Sequence, residues 1–537
     1  MNSAISVDIE TRLRFAEKNN GKIEDTLSLS CLEAVVAFYK SNDFVPVWSD
    51  SMKWKPLSDS FLNYIGKGLE EGLFPADYKY KTIFLLHSLL KDSLRRKDVA
   101  LWSVAELLYT DAFMLIARDL SQGRLQPDSL SWHHNDQKIK EFFIPMFTML
   151  TSTSKFRQTI DSLQPVLQPY LDLKSRLREF LDSMDRTQYT YLSYPYKQND
   201  EKDSIQFLNK LRKRLVESGV KDSFSILPDS LGMVSLVKQY QIKRNLNADG
   251  KIGVDLIDKL NNSDLEKYKR LVITLDRYKE LPRTMPEKYI WVNLPQYFLS
   301  MWDKDSLVMS SKIICGKPST QTPTLSSAIS EIVLLPTWTV PESIIKKEML
   351  PGLKRNSNYL SKKGLYLLDS KGQRVRADSI NWKKYSKGIP YRVQQGSGDA
   401  NALGVIKFNF SNPYAVYLHD TNQRYLFKNS KRALSHGCVR VQEWHELARQ
   451  ILRYDSLLRN PADTLLFRPD SVSSFISRLK ANNTRKIVAL KNYFPLYICY
   501  YSCIYENGEL HILDDVYKLD KMLRDKYFAS KTILPFL

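Results

Sequence analysis

The chain has 537 residues, 43% of them hydrophobic and 26% charged, with a formal net charge of +20. That length gives about two to four domains with ample core, and the composition excludes disordered and fibrous classes. No run of about 18 apolar residues exists, so no segment reads as a membrane-spanning helix. The positive charge favours an anionic partner such as nucleic acid, a lipid surface or a carboxylate-rich polymer. The basic residues are scattered and accompany no nucleic-acid motif, so no nucleic-acid partner is expected.

The five cysteines, Cys31, Cys315, Cys438, Cys499 and Cys503, form no disulfide framework. On one strand, Cys499 and Cys503 would stand about 13 Å apart, too far to bridge. The chain starts Met1-Asn2-Ser3-Ala4, without a basic-then-apolar export signal. The protein is then either cytoplasmic or lacks its targeting segment here.

Residues 1–200 read as a helical scaffold. Val104, Leu107, Leu108, Ala112, Leu115 and Ile116 keep helical spacing, interrupted by Asp111 and stopped at Gly123. Phe44–Trp48 and Gly72–Pro75 read as turns with aromatic anchors, and another helix opens at Gln164–Tyr170. Tyr189–Glu201 is polar and reads as a linker. Residues 201–265 form a compact segment of three short helices. The first carries Ile205, Leu208, Leu211 and Leu215. The second carries Val234, Val237 and Tyr240. The third carries Leu256 and Leu260 and follows an Asp249-Gly250 turn.

From residue 266 to 537 the pattern turns mostly to strands, entered by a helix over Leu271–Lys279. Strands are expected at Tyr289–Leu294, Ser306–Cys315, Glu331–Leu335, Gly404–Phe410 and Ala415–His419. Residues 342–391 break the pattern and read as an insertion over a site. Trp444–Leu452 is helical, and Asn507-Gly508 turns one late strand into the next.

The chemistry concentrates at Ser435-His436-Gly437-Cys438-Val439-Arg440, with His419 upstream on a predicted strand. A thiol is a poor nucleophile until a base such as imidazole takes its proton. Gly437 lets the backbone approach a substrate, and the amides at Gly437 and Cys438 are candidates for an oxyanion hole. Arg440 can bind a carboxylate with its planar fork. Tyr417 shares a strand face with His419 by the two-residue period. A buried structural cysteine is the commoner fate of a lone Cys. A cysteine phosphatase would need a longer loop between Cys438 and Arg440, and a zinc site would need further ligands. A papain-like peptidase would place its histidine downstream of the cysteine.

On these residues the C-terminal part resembles the L,D-transpeptidase family, with a YkuD-type catalytic domain, and the whole chain resembles its large YcbB-like members. The likeness rests on Ser435–Arg440 and Leu418-His419-Asp420-Thr421. It extends to Gly316-Lys317, Thr322-Pro323-Thr324, Trp338–Ile344, Asn401–Gly404, Asn412-Pro413-Tyr414 and Asp514–Tyr517. The three-helix segment is similar to a small peptidoglycan-binding module at Gln239-Tyr240-Gln241, Leu246, Asp249-Gly250 and Ile252-Gly253.

The resemblance implies a multidomain α+β chain: helical scaffold, three-helix module and mostly-β catalytic domain, the 342–391 insertion being a capping subdomain. It implies that Cys438 is the nucleophile and His419 its base, acting on peptidoglycan tetrapeptide stems to form 3→3 cross-links through a thioester. Gly437, Arg440, Ser435, His436, Tyr417 and Trp338 would shape the substrate and oxyanion sites, with His436 ordering the loop. No cofactor and no metal are implied. Carbapenem β-lactams would acylate the cysteine, and other cell-wall synthesis proteins are possible partners. The location would be the bacterial periplasm or cell envelope, with the native signal or anchor missing from this sequence. The alternatives are an L,D-carboxypeptidase, a protein-to-wall anchoring enzyme, or a non-catalytic wall-binding scaffold.

Overall fold

The longest helix, Val99–Gln122, is fixed by its ends. The Asp98 side chain accepts hydrogen bonds from the Ala100 and Leu101 amides, at 3.0 and 3.2 Å, and Gly123 closes the other end. It is long and apolar enough to cross a membrane, yet 83% of its apolar window is buried inside the protein. In this computed structural model it is therefore a core helix. Residues 2–125, 145, 147–150, 155–195, 200–386, 388–457, 472–482 and 484–531 are described.

Helices Asn2–Lys18, Leu32–Ser41 and Tyr80–Leu89 pack on that core helix, and Pro56–Gly66 packs on the last of these. The interruption at Asp111 has a structural cause. Its carboxylate accepts the Ser30 and Cys31 amides, both at 2.7 Å, and pairs with Lys79 at 2.8 Å. Glu106, also buried, takes the Val47 and Trp48 amides and the Ser49 hydroxyl. Both carboxylates replace water with donors from loops that could not otherwise lie against the helix.

Leu192 docks in the core of the three helices Glu201–Glu217, Ser230–Lys243 and Val254–Asn261, so the polar stretch before Glu201 is in part packed rather than a free tether. In the first of these helices Leu211 and Leu215 are buried as expected, but Ile205 is 45% exposed and Phe207 takes its place. Gln241 reads the Asp249-Gly250 turn, donating to Asp249 at 2.9 Å and accepting the Gly250 amide at 2.8 Å.

Helix Asp264–Tyr278 joins the helical and β regions. It is buried on most sides, and Leu271, Val272 and Leu275 share one apolar cluster with Leu69, Phe74, Trp291 and Tyr497. Arg277 donates to buried Asp520 at 2.5 Å and to the Tyr500 carbonyl at 2.9 Å, and Arg270 meets the same carboxylate at 2.9 Å. A carboxylate shared by two guanidinium groups is held well below the usual range, because both charges oppose the cost of its burial.

The C-terminal strands form one continuous sheet. Its order is Ala433–Ser435, Ser306–Gly316, Val439–Val441, Leu418–His419, Ile406–Phe410, Leu325–Leu334, Lys486–Cys499, Lys288–Asn293 and Phe298–Asp303. Phe298–Asp303 pairs back onto Ser306–Gly316, which closes the sheet into a barrel and leaves no open edge at that seam. Phe408, Leu418, Val439, Ile332 and Leu496 lie inside it. Cys499 ends one strand and Cys503 starts the next, so they do not share a strand, and each is buried and unbridged.

The region read as an insertion over 342–391 carries its own sheet, and its limits move outward. Trp338–Thr339 and Arg392–Gln395 pair, and Leu365–Leu368 and Arg374–Val375 complete four strands. Val340, Ile344, Leu353, Leu367, Trp382 and Val393 make a separate core. The stems that enter and leave the insertion are thus strands of its own sheet.

Candidate active site

Strand register brings the motif residues together. Phe408, Leu418 and Val439 are neighbours across three strands and all three point into the barrel core. Alternation then turns the next row outward. Lys407 lies opposite His419, and His419 lies opposite Arg440. Tyr417 and Cys438 precede His419 and Arg440 by two positions each, so they emerge on that same face. Thiol, imidazole, two cations and an aromatic ring therefore share one outer patch of the barrel.

The expected strand over Ala415–His419 contracts to Leu418–His419. Asn412 is the reason. Its side chain accepts the Tyr414 and Val416 amides and donates to the Phe410 and Val416 carbonyls, which folds the chain into a turn. The Ala415 carbonyl released from the ladder faces the Cys438 sulfur at 3.9 Å.

Tyr417 bridges the patch. Its hydroxyl is among the groups that hold the Cys438 thiol down, and both Cys438 and the Trp338 side chain act on that hydroxyl in turn. Its ring meets His419 edge-on, with centroids 5.6 Å apart, and lies 3.9 Å from the Lys407 ammonium. Burial pushes the Cys438 thiol above its ordinary value of 9.0, although Tyr417, Lys407 and Arg440 all oppose the shift. Burial also drives His419 down to about 3, aided by the Arg440 charge. The resting pair is thus a thiol and a neutral imidazole. His419 Nδ1 faces the Asp420 carbonyl, and the Leu403 carbonyl also faces the ring. Both acceptors would favour the imidazolium once a proton arrives.

The loop carrying Cys438 is clamped from below. Thr322 Oγ1 donates to the Gly437 carbonyl at 2.7 Å and accepts the Gly316 amide at 2.9 Å. Ser435, buried, donates to the Cys438 carbonyl at 2.6 Å and accepts the Gly437 amide at 3.1 Å. Ser435 is therefore a brace. The Gly437 amide, read from sequence as an oxyanion donor, is already taken up by that hydroxyl. Gly437 itself holds φ at +123°, where other residues are strained.

His436 meets Glu348 of the inserted region, Nε2 to Oε1 at 2.5 Å. Arg440 donates one guanidinium nitrogen to Gln423 at 2.9 Å, and its buried Nε has no partner among the described residues. A buried donor without an acceptor is costly, and an incoming carboxylate would satisfy it. Asp420 is fully buried under the patch, where it accepts the Val405 amide and both arms of Arg424. It lies so close to Gly404 that a Cβ there would stand 2.1 Å from its oxygen.

Lys407 and Glu348 carry no sequence motif and were not singled out as site residues. The alternation Ile406-Lys407-Phe408-Asn409-Phe410 could have placed Lys407 on the polar face, but only the pairing across strands sets it beside His419. Among the described residues no cluster of His, Cys, Asp and Glu could hold a metal ion.

Known proteins resemble parts of this chain. Residues 287–458 match the L,D-transpeptidase catalytic domain family, YkuD, and residues 33–177 match a family described as a scaffold domain. The chain thus carries an L,D-transpeptidase (YkuD-type) catalytic domain within a larger multidomain protein that has an N-terminal helical scaffold region. A Haemophilus influenzae protein named "Putative L,D-transpeptidase" is 34% identical over 243 residues, covering 45% of this chain and 47% of that relative. The chain therefore spans about half the length of that curated relative. A solved structure described as the Ldtfm–avibactam carbamoyl enzyme is similar at 12% identity over 41% of this chain and 51% of that one, with a TM-score of 0.18.

Proposed function

We propose that this protein is a peptidoglycan L,D-transpeptidase that forms 3→3 cross-links through a thioester on Cys438. The observation that carries the reading is the row of Lys407, His419 and Arg440 beside Tyr417 and Cys438 on one barrel face, within the region that matches the catalytic-domain family.

The chemistry follows from the protonation states. The Cys438 sulfur attacks the carbonyl between the third stem residue and the terminal D-alanine, and its proton passes to neutral His419. The Asp420 and Leu403 carbonyls steady the imidazolium. The Cys438 amide, lying beside the new oxyanion, is the donor we assign to it, since the Gly437 amide already serves Ser435. The carbon–nitrogen bond then breaks, and D-alanine leaves with the proton from His419. A side-chain amine of a second stem attacks the thioester and gives its proton to His419. The carbon–sulfur bond breaks and the sulfur regains that proton. Arg440 and Lys407 offer two positive charges to stem carboxylates, which suits an anionic polymer. Trp338 and Tyr417 are the aromatic residues this reading places against the stem.

This reading places the protein in the bacterial cell envelope, gives the three-helix segment a wall-binding role, and makes carbapenems acylating inhibitors. The test is incubation with tetrapeptide muropeptides followed by product separation. Cross-linked dimers and free D-alanine are expected, and Cys438→Ala should abolish both. Tripeptide alone would assign an L,D-carboxypeptidase. No product and no carbapenem adduct by intact mass would sink the enzyme reading.

A further inference from the structure

Helix Tyr80–Leu89 is apolar on two sides. Ile83, Leu86 and His87 face the helical core, where His87 stacks on Trp54 with centroids 4.5 Å apart. The opposite stripe follows the same helical spacing: Lys81, Phe84, Leu85, Ser88 and Leu89 are all exposed. Phe84 is 47% exposed, Leu85 51% and Leu89 46%, and Leu94 just beyond the helix is 79% exposed. A lone exposed leucine needs no explanation, but four large apolar side chains on one stripe and its adjoining loop do.

The charge around this stripe that no carboxylate pairs with has one sign. Lys81 sits at its start, and Arg95, Arg96 and Lys97 follow Leu94, all exposed. Among the described residues no carboxylate pairs with these four. The nearby acidic groups are committed elsewhere. Asp59 meets His87 and Lys91, Asp92 accepts the Leu94 and Arg95 amides, and Asp98 caps the core helix. A protein partner with an acidic apolar groove would suit the apolar residues, but nothing in the stripe is shaped to read one. A flat apolar stripe bordered by unpaired cations is the arrangement that seats a helix in the interface of an anionic bilayer.

We propose that Tyr80–Lys97 is a peripheral membrane-docking face. Phe84, Leu85, Leu89 and Leu94 enter the headgroup–acyl boundary, while Lys81, Arg95, Arg96 and Lys97 contact anionic lipid headgroups. The face belongs to the helical scaffold region, so it stands independently of the acyl-transfer reading. It would hold the catalytic domain near a membrane surface.

The test is co-sedimentation of the full chain with phosphatidylcholine vesicles, with and without phosphatidylglycerol at roughly one lipid in three. Binding is expected only to the anionic vesicles and should weaken steeply with salt. Arg95→Gln/Arg96→Gln/Lys97→Gln should lower partitioning on the order of 100-fold, at about fivefold per charge. Phe84→Ser/Leu85→Ser/Leu94→Ser should lower it at least as far. These side chains lie on the surface, so melting temperature and circular dichroism should stay unchanged in both variants. Absence of binding to anionic vesicles at low salt would overturn the proposal. So would binding that neither variant weakens, or a dimer in light scattering that the serine variant dissolves.

Discussion

Replacing Tyr417 with phenylalanine removes one hydroxyl and keeps the ring. The ring contacts to His419 and Lys407 survive, so the patch keeps its shape. The hydroxyl's interaction with Cys438 disappears, and it is one of the influences holding the thiol down against burial. A hydrogen bond to a charged group contributes about 1.5–3 kcal/mol. Its loss should raise the thiol by roughly one to two further pKa units. The sign is fixed: the thiolate loses a donor, so the neutral thiol gains. Below the pKa, reactivity follows the thiolate fraction, so alkylation of Cys438 should slow about 10- to 100-fold at any given pH. The assay is the iodoacetamide rate from about pH 5 to 10, read by intact mass, with peptide mapping to locate the adduct. In the parent protein the thiol lies above 9.0, so at pH 7 about 1% or less is thiolate. The rate should climb roughly tenfold per pH unit across the neutral range. His419, held near 3, should add no inflection between about pH 5 and 7. An ion-paired cysteine would instead react at a constant rate from about pH 5 upward. A flat profile in the parent, or an unchanged rate in Tyr417→Phe, would refute the reasoning.

Three further outcomes are expected. Thr322→Val keeps the volume but leaves the Gly316 amide and the Gly437 carbonyl without their partner; it should cost about 2–4 kcal/mol of local stability, read as faster hydrogen exchange over residues 435–439. Gly404→Ala drives a methyl into the Asp420 carboxylate at a backbone position with φ of +61°, and should lower the melting temperature by about 5 °C or more and abolish acyl-enzyme formation. His436→Ala cuts a half-exposed contact to Glu348, worth at most about 1 kcal/mol, so global melting should barely move while exchange in residues 342–355 of the cap rises.

Much of the fold was legible because its signals are local. The core helix announced itself by spacing and by Gly123, and the hairpin at Asn507-Gly508 pairs Glu506 with Glu509 as its turn chemistry dictates. The cap limits were not legible. Two-residue strands such as Trp338–Thr339 have no period of their own, and they exist only because Arg392–Gln395 returns to pair with them. Ile205 misled for a similar reason: helical spacing allows more than one apolar stripe, and the buried one depends on where the neighbouring helices lie.

The site divides along the same line. Cys438, Gly437 and Arg440 lie within one short motif, so their closeness could be read without coordinates. What surrounds them comes from register. Lys407, His419 and Arg440 belong to three strands separated by 12 and 21 residues in sequence, and a one-residue slip in either pairing would send Lys407 or Arg440 into the barrel core. Phe408, Leu418 and Val439 prevent that slip, because each is fully buried and would have to exchange places with a charged side chain. The apolar row inside the barrel therefore fixes the polar row outside it. Substitutions inside, such as Leu418→Ala, should disturb reactivity at Cys438 through position rather than through contact.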